Sequence, residues 1–562
     1  MSTVLIGLSG ALAVVFAANP DRIDPRNGYM TFSRTSTKPQ TRTVSDSGAL
    51  LLFLLAGGLA ARLLLAHLTF LNPDEVLHYL LSAEPSFDMA YKASLTTAHP
   101  PLLIVLLHYW RLLGNSEFVL RLPSVLAGTA FCWIMFLWLQ RMTDRTTALI
   151  GLSLLSFSPS LISLSAENRQ YSLLMFFCAS SLYSLERAIG ENSAGMMLLS
   201  SLSLYLALLT HYSSFIFALT LGIYALVRVR TSKPRTRVVV AWIVGQLGAL
   251  GLCAFLYVSQ ISRLKSRGLP SEIANTWLRA SIFHSGQDHF VTFCVRNTVR
   301  LFRYFFSHGT IGVVALLLFV LGIVSLLRDK ISPQDPRNPT SRQSALLLGL
   351  PFLITLSAAF AGLYPYGGTR HDALFAGFAM AGVSIGLTRL EVWKKWLTPT
   401  AVAGVLLICN LFPSPTPPFI LPKNQNRRLM NEATNFLRSS ASPGSVFFTD
   451  YQGALVLSYY FCPARLVPFE QPQRSFLKSD CGTYQVVTFT KTIWSFEPAI
   501  FPNTLREMQQ TYGLGSDATV WLFQAGWINE NEDKWIAELK QYGCHEPRNF
   551  GPNILICQMT LR

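Results

Sequence analysis

Long apolar runs dominate the chain up to residue 412 and stop there. Runs long enough to cross roughly 30 Å of hydrocarbon lie at 49–71, 119–140, 147–164, 171–189, 196–210, 214–229, 238–258, 311–327, 344–363, 373–388 and 398–412. That predicts about eleven transmembrane helices, with 196–210 the shortest. After the Pro-rich "FPSPTPPFILP" the pattern changes: strand-like "SVFFTD", "YQVVTF", "TVWLFQ" and "NILICQ" alternate with helix-like pieces at 426–439, 502–512 and 531–542. This alternation predicts a small α/β soluble domain with a largely parallel sheet. The chain thus divides into residues 1–47, a membrane domain at 48–412 with long loops at 72–118 and 259–310, and a domain at 413–562. The opening "TVLIGLSGALAVVFAA" is apolar and ends in small residues, as a signal peptide does, but lacks a basic start. An extra span and a mis-assigned start both stay open, and the polar stretch up to residue 47 is expected to be disordered.

Composition names the solvent. The 562 residues are 51% hydrophobic and only 14% charged, against roughly 25% charged in soluble domains, so the chain is a polytopic α-helical membrane protein. Its net charge of +16 suits cytoplasmic loops and phospholipid headgroups, and no nucleic-acid motif is present to claim it. "RVRTSKPRTR" (228–237), "RDKISPQDPRNPTSR" (328–342), "RLEVWKKW" (389–396) and Arg22, Arg26, Arg34, Lys38 and Arg42 all fall on one side when the spans are counted. That side is the cytoplasm, which places a multi-pass protein in the cell inner membrane with its C-terminal domain outside. The 259–310 loop is outside yet basic. Its "RNTVRLFRYFF" sets Arg296, Arg300 and Arg303 on one helical face beside aromatic residues, as in a helix lying among headgroups. Headgroup contact and binding of a donor phosphate both remain open for it. Cys462, Cys481, Cys544 and Cys557 lie in the exported domain, where one or two disulfides are expected.

Polar residues gather where the outer ends of the spans should be. "LTFLNPDEVLHYLL" ends the first span on Asp74 and Glu75, with His78 a turn later. Asn72, Pro73 and the two acids form a helix-start signature, so simple capping explains them locally. The remaining candidates are His99 in "TTAHPPL", Glu167, Arg169 and Tyr171 in "SAENRQY", His211 and Tyr212 in "LTHYSS", and Arg370 and His371 in "YPYGGTRHD". Each alone reads as an interfacial cap or anchor. Ionisable groups at membrane depth are costly, and their collection at one face marks a site.

In this order, "NPDEVLHY", "AHPPLLIVLLHYWRLLGNSEFVLRLPSVLAGT", "SAENRQYSLL", "THYSS" and "GGTRHD" resemble the GT-C class of membrane glycosyltransferases. Within it the chain is most similar to the superfamily of protein O-mannosyltransferases and lipid A aminoarabinose transferases. The resemblance covers about residues 49–412. It implies that a sugar leaves a polyprenyl-phosphate carrier for a glycan, lipid or protein acceptor at the outer face. It also implies Asp74 as general base with Glu75 beside it, and Glu167 as the second catalytic acid. Relatives commonly carry a basic residue three positions after the Asp; here Leu77 stands there and His78 follows. A carboxylate suits the proton transfer, and cations suit the departing phosphate: Arg169, His211, Arg370, His371, Arg296 and Arg300. His78, His99, Tyr171 and Tyr212 are candidates for contacting substrate.

An oligosaccharide polymerase or ligase with a lipid-linked glycan donor keeps the enzyme class but changes the donor, and two further readings stay open beside it. Asp74, Glu75 and Glu167 suit a divalent cation, Mg or Mn; no other cofactor is implied. A transporter or flippase of lipid-linked sugars would use the same spans and charges, but would place polar groups near the midplane on broken helices or show internal repeats, and the sequence shows neither. Capping alone predicts that Asp74→Asn is harmless, whereas a catalytic Asp74 predicts that Glu75→Gln is the milder change.

Overall fold

The computed structural model describes residues 43–266, 274–276, 278–306, 309–329, 335, 337–393, 404, 426–469, 474–491, 496, 499–515, 518–526, 532–551 and 554–561. Among them, seven helices are long and apolar enough to cross a membrane: Gly48–Leu68, Glu117–Met142, Ser214–Ser232, Thr236–Ser266, Gly309–Arg328, Ser341–Phe360 and Arg370–Leu390. Arg145–Ser156 and Pro159–Ser165 are apolar and long enough only as a pair, which bends by 61° at the break between them. The sequence reading expected no broken helix. Pro159 supplies no N–H to the preceding turn, and the Ser158 hydroxyl at the break donates to the Phe305 carbonyl at 2.7 Å. Helices Tyr171–Gly190 and Ala194–Leu208 occupy two more of the expected runs. Ten of the eleven runs therefore fall on helices; 398–412 lies outside the described residues, as do 1–42 and the linker at 413–425.

The turns sort into two ends. At one, Arg228 donates to the Arg337 carbonyl at 2.6 Å, Arg235 N–H to Asn192 at 2.8 Å, and Gln343 to Thr231 at 2.9 Å. Arg228 also pairs with buried Glu186 at 2.9 Å. These are the basic loops that the charge pattern assigned to one side. The acidic, histidine-rich turns meet at the other end.

The C-terminal strands are β1 (Val446–Asp450), β2 (Phe476–Cys481), β3 (Tyr484–Phe489), β4 (Thr519–Ala525), β5 (Cys544–Asn549) and β6 (Ile554–Thr560). They form one sheet ordered β2-β3-β1-β4-β6-β5. Only β1 pairs in parallel, with β3 and with β4; the other three pairings are antiparallel, so the sheet is mixed rather than largely parallel. Three strands change its character: β6, which runs antiparallel to β4, and the edges β2 and β5, whose polar sequences "FLKSDC" and "CHEPRN" carry little strand signal. Disulfides join Cys462 to Cys481 and Cys544 to Cys557, with Cα atoms 4.9 and 5.7 Å apart.

The sheet domain and the membrane helices belong to one compact unit, Leu51–Arg562, joined at the chain entering helix Pro73–Ser82. The Tyr460 hydroxyl accepts from Leu71 N–H at 2.7 Å and donates to Glu117, which pairs with Arg427 at 2.5 Å. Tyr459 donates to the Asn115 carbonyl at 2.7 Å, and Arg465 pairs with Glu84 at 2.6 Å. Gly526 (φ +116°) lies so close that a Cβ there would come within 2.5 Å of the Pro73 ring.

Candidate active site

Helix Pro73–Ser82 starts as its sequence predicts. Asn72 is the N-cap: its side chain accepts from Glu75 N–H, and Glu75 returns a bond to Asn72 N–H, both at 3.0 Å. This reciprocal capping box satisfies two otherwise orphaned donors. The Glu75 carboxylate also accepts from Arg121 Nε and Nη2, each at 2.7 Å, and from Asn168 N–H at 2.6 Å. Arg121 in turn donates to the carbonyls of Ala66, Thr69 and Phe70 at 2.7–2.9 Å, closing the C-terminal end of the first span, where carbonyls lack helical partners. Both side chains are essentially inaccessible. Glu75 is thus a buried hub rather than a group facing a ligand.

Asp74 faces the other way, since consecutive helical residues lie about 100° apart. Its Oδ2 receives Arg169 Nη1 at 2.6 Å and Arg370 Nη2 at 2.8 Å, and its side chain keeps 30% exposure. Burial alone would raise its carboxyl, but Arg169 and Arg370 outweigh burial and hold it well below the usual carboxylate range. Arg169 is anchored through its carbonyl, which accepts from Ser124 at 2.9 Å, and its guanidinium reaches the Tyr171 hydroxyl at 3.4 Å. Glu167 behaves oppositely. Burial, then the charge of Glu75, pushes it up to about 7, and its buried Oε2 has no hydrogen-bond partner among the described residues.

A belt of rings borders these charges. His78 and His99 lie 5.9 Å apart, His99 and His211 5.6 Å, His211 and His371 5.9 Å, and Tyr171 packs 5.4 Å from His211. Burial, then Arg169, lowers His78 to about 3, and the same two causes lower His211 to about 3; both are neutral imidazoles at neutral pH. The tautomers follow from their partners. His78 Nδ1 meets the Asn168 carbonyl at 3.1 Å, so it carries the proton and Nε2 keeps its lone pair. His211 Nδ1 accepts from Ser213 N–H at 3.1 Å, so its proton is on Nε2.

The structure therefore brings Asp74, Arg169, Arg370, His78, His99, Tyr171, His211 and His371 together from five separate segments, with Glu167 at their edge. Tyr212 packs on Phe215. Arg296 and Arg300 make no bond to Asp74: Arg296 is exposed, and Arg300 lies beneath the turn that carries Arg370. Gly368 (φ +76°) permits this approach, because a Cβ there would fall 2.5 Å from the Arg300 carbonyl oxygen. Asp74, Glu75 and Glu167, the acids that suit a divalent cation, differ in what they already meet. Glu75 is saturated by donors, Asp74 is held by two arginines, and no group of three or more His, Cys, Asp or Glu among the described residues is placed to hold a metal ion. Sequence reasoning missed two supports. Arg121 sits in the quoted "RLPSV", where a charge inside an apolar helix was the available signal. Gln260 donates to the carbonyls of Thr97 and His99 at 2.9 and 2.8 Å and has no sequence signal.

Residues 98–257 match the family model of dolichyl-phosphate-mannose-protein mannosyltransferases. That segment carries His99, Arg121, Glu167, Arg169 and His211. Among solved structures, ArnT from Cupriavidus metallidurans in its apo state superposes with a TM-score of 0.52 at 12% identity, covering 91% of this chain and 98% of ArnT. The fold is that of the GT-C glycosyltransferases. The same ArnT bound to undecaprenyl phosphate matches with a TM-score of 0.50, 12% identity and the same coverage. The oligosaccharyltransferase AglB from Archaeoglobus fulgidus gives 0.47 at 11% identity, covering 85% of this chain and 69% of AglB. No curated protein matches the sequence. The GT-C resemblance read from five short motifs thus meets an agreement of backbone over nine tenths of the chain.

Proposed function

We propose that this GT-C chain transfers a sugar from a polyprenyl-phosphate donor to a hydroxyl or amine of a glycan, lipid or protein acceptor at the outer face of the inner membrane. The observation that carries this reading is the meeting of Asp74 with Arg169 and Arg370, three groups from three turns. The ArnT neighbour bound to undecaprenyl phosphate supports the donor class. In the reaction the acceptor oxygen or nitrogen bonds to the anomeric carbon while the bond from that carbon to the phosphate oxygen breaks. The sugar goes to the acceptor, the electron pair to the polyprenyl phosphate, and the acceptor's proton to a carboxylate. Asp74 is that base. Arg169 and Arg370 offset the charge growing on the leaving phosphate. His211 and His371 border the same space, and His211, being neutral, contributes hydrogen bonding rather than charge. Arg296 and Arg300, on a helix flanking the Arg370 turn, meet lipid phosphates on the carrier's approach. The sheet domain shares the outer side with these groups.

The test is transfer of label from a polyprenyl-phosphate-linked sugar by the purified full-length chain, with envelope glycans, lipids and proteins as acceptors. Arg370→Gln should lower turnover roughly 10²-fold or more while the protein stays folded. Movement of the lipid-linked sugar across a liposome bilayer without release of polyprenyl phosphate would instead establish a flippase and end this assignment.

A further inference from the structure

Asp74 is gripped in a way that ill suits a base. One oxygen, Oδ2, takes two guanidinium groups, at 2.6 Å from Arg169 and 2.8 Å from Arg370. A carboxylate so held has little tendency to accept a proton. The three formal charges sum to one positive, and Glu167 at the edge of the cluster offsets that only where it is ionised. The two arginines are the cations that contact Asp74, and they cannot serve Asp74 and a phosphate fully at once.

From this competition we infer that the donor phosphate displaces Asp74 from Arg169 and Arg370, so that donor binding itself frees the base. The inference rests on the glycosyl-transfer reading above. The parts that stay fixed and the part that moves can be told apart. Arg169 is nine-tenths buried or more, with 4% side-chain exposure, and its backbone is tied to Ser124. Arg370 leaves a turn fastened by Thr369 N–H donating to Asp372 at 2.9 Å. The backbone at Asp74 is held by the neighbouring capping box and the Glu75–Arg121 pair. The short Asp74 side chain, at 30% exposure, can leave the two arginines by rotation about its Cα–Cβ bond alone. A phosphodiester carries one negative charge, as the carboxylate does, but spreads it over two unbridged oxygens, one for each guanidinium. The acceptor is then activated only once the donor is in place, which makes the order of binding compulsory: donor first, acceptor second.

The experiment measures binding of undecaprenyl phosphate to the purified full-length chain in detergent micelles, with neutral undecaprenol as comparator. If Asp74 is a competing anion, Asp74→Asn binds undecaprenyl phosphate roughly tenfold more tightly than wild type, although it transfers no sugar. In an Arg370→Gln background that gain shrinks, because half the contested site is gone. Unchanged or weaker binding by Asp74→Asn, or a full gain that persists without Arg370, overturns the competition. Wild-type protein that fails to prefer the phosphate over undecaprenol overturns the donor assignment itself, a separate outcome. Should the Asn variant not fold, Asp74→Ala removes the same charge and gives the same reading.

Discussion

Glu75→Gln should cost this protein more than any change at Asp74, in stability rather than chemistry. In the structure the Glu75 carboxylate accepts four bonds: two from Arg121 at 2.7 Å, one from Asn168 N–H at 2.6 Å and one from Asn72 N–H at 3.0 Å. The pair's side-chain exposures are 1% for Arg121 and 0% for Glu75. Glutamine keeps one accepting oxygen but turns an NH2 toward groups that are themselves donors, and it leaves the Arg121 charge buried without a counter-ion. Breaking a buried pair by removing one partner costs about 3–5 kcal/mol. Asp74→Asn breaks contacts at a side chain with 30% exposure, where the stability cost of a solvent-screened pair is below about 1 kcal/mol. Thermal unfolding of the detergent-purified full chain, followed by monodispersity after heating, ranks the variants. The expected order is wild type, then Asp74→Asn close behind, then Glu75→Gln far below. A second substitution, Arg121→Gln on top of Glu75→Gln, should recover part of the loss by removing the stranded charge. If Glu75→Gln melts with wild type, the hub assigned to Glu75 is wrong, and the two acids are interchangeable supports of one cap.

Three further outcomes follow from the geometry. Glu167, pushed up to about 7, is ionised and able to take a proton above that pH and is protonated below it. Turnover that depends on it should therefore fall as pH drops through about 7, and Glu167→Gln should be slower and lose that limb; an unchanged limb in the variant would assign it elsewhere. Of the nine cysteines, five should titrate as thiols in denatured protein kept free of reductant, because four are joined in the C-terminal domain; nine free thiols would contradict both bridges. Cysteines placed at the exposed positions Arg235 and Thr483 should react with a membrane-impermeant reagent from opposite sides of the bilayer, and labelling from one side would reverse the topology.

The membrane helices were legible because a run of apolar residues carries its meaning locally: whatever its neighbours do, it must leave water. The acidic, histidine-rich turns were legible for a related reason, since charge at the end of such a run is costly enough to need an explanation. The partnership of Arg121 with Glu75 was not, because it joins residues 46 positions apart and nothing in "RLPSV" says which acid that arginine meets. The break at Pro159 was hidden by its flanks, which remain apolar on both sides and read as one run. The edge strands β2 and β5 were hidden because an edge needs only one partner and one covered face, so "FLKSDC" can alternate buried and exposed residues without a run of β-branched ones. Burial of each long-range pair is settled by packing, which local pattern does not encode.

The adjacency of Asp74 and Glu75 then has a physical account that capping and catalysis share. The proposed base, Asp74, must be held to a fraction of an ångström, yet a helix that begins at the edge of a membrane is prone to fray. Here the first turn is fastened from three directions: by its own capping box, by Arg121 reaching from the next span, and by Tyr460 of the sheet domain holding Leu71 N–H at 2.7 Å. All three act on the backbone or on Glu75, and none bonds Asp74. The rigid member of the pair absorbs the structural contacts, so the exposed member is left to answer only to Arg169, Arg370 and whatever anion reaches them. Exchanging the two acids in sequence order would aim the saturated carboxylate at the ligand and the contested one into the protein, which is why their order matters as much as their presence.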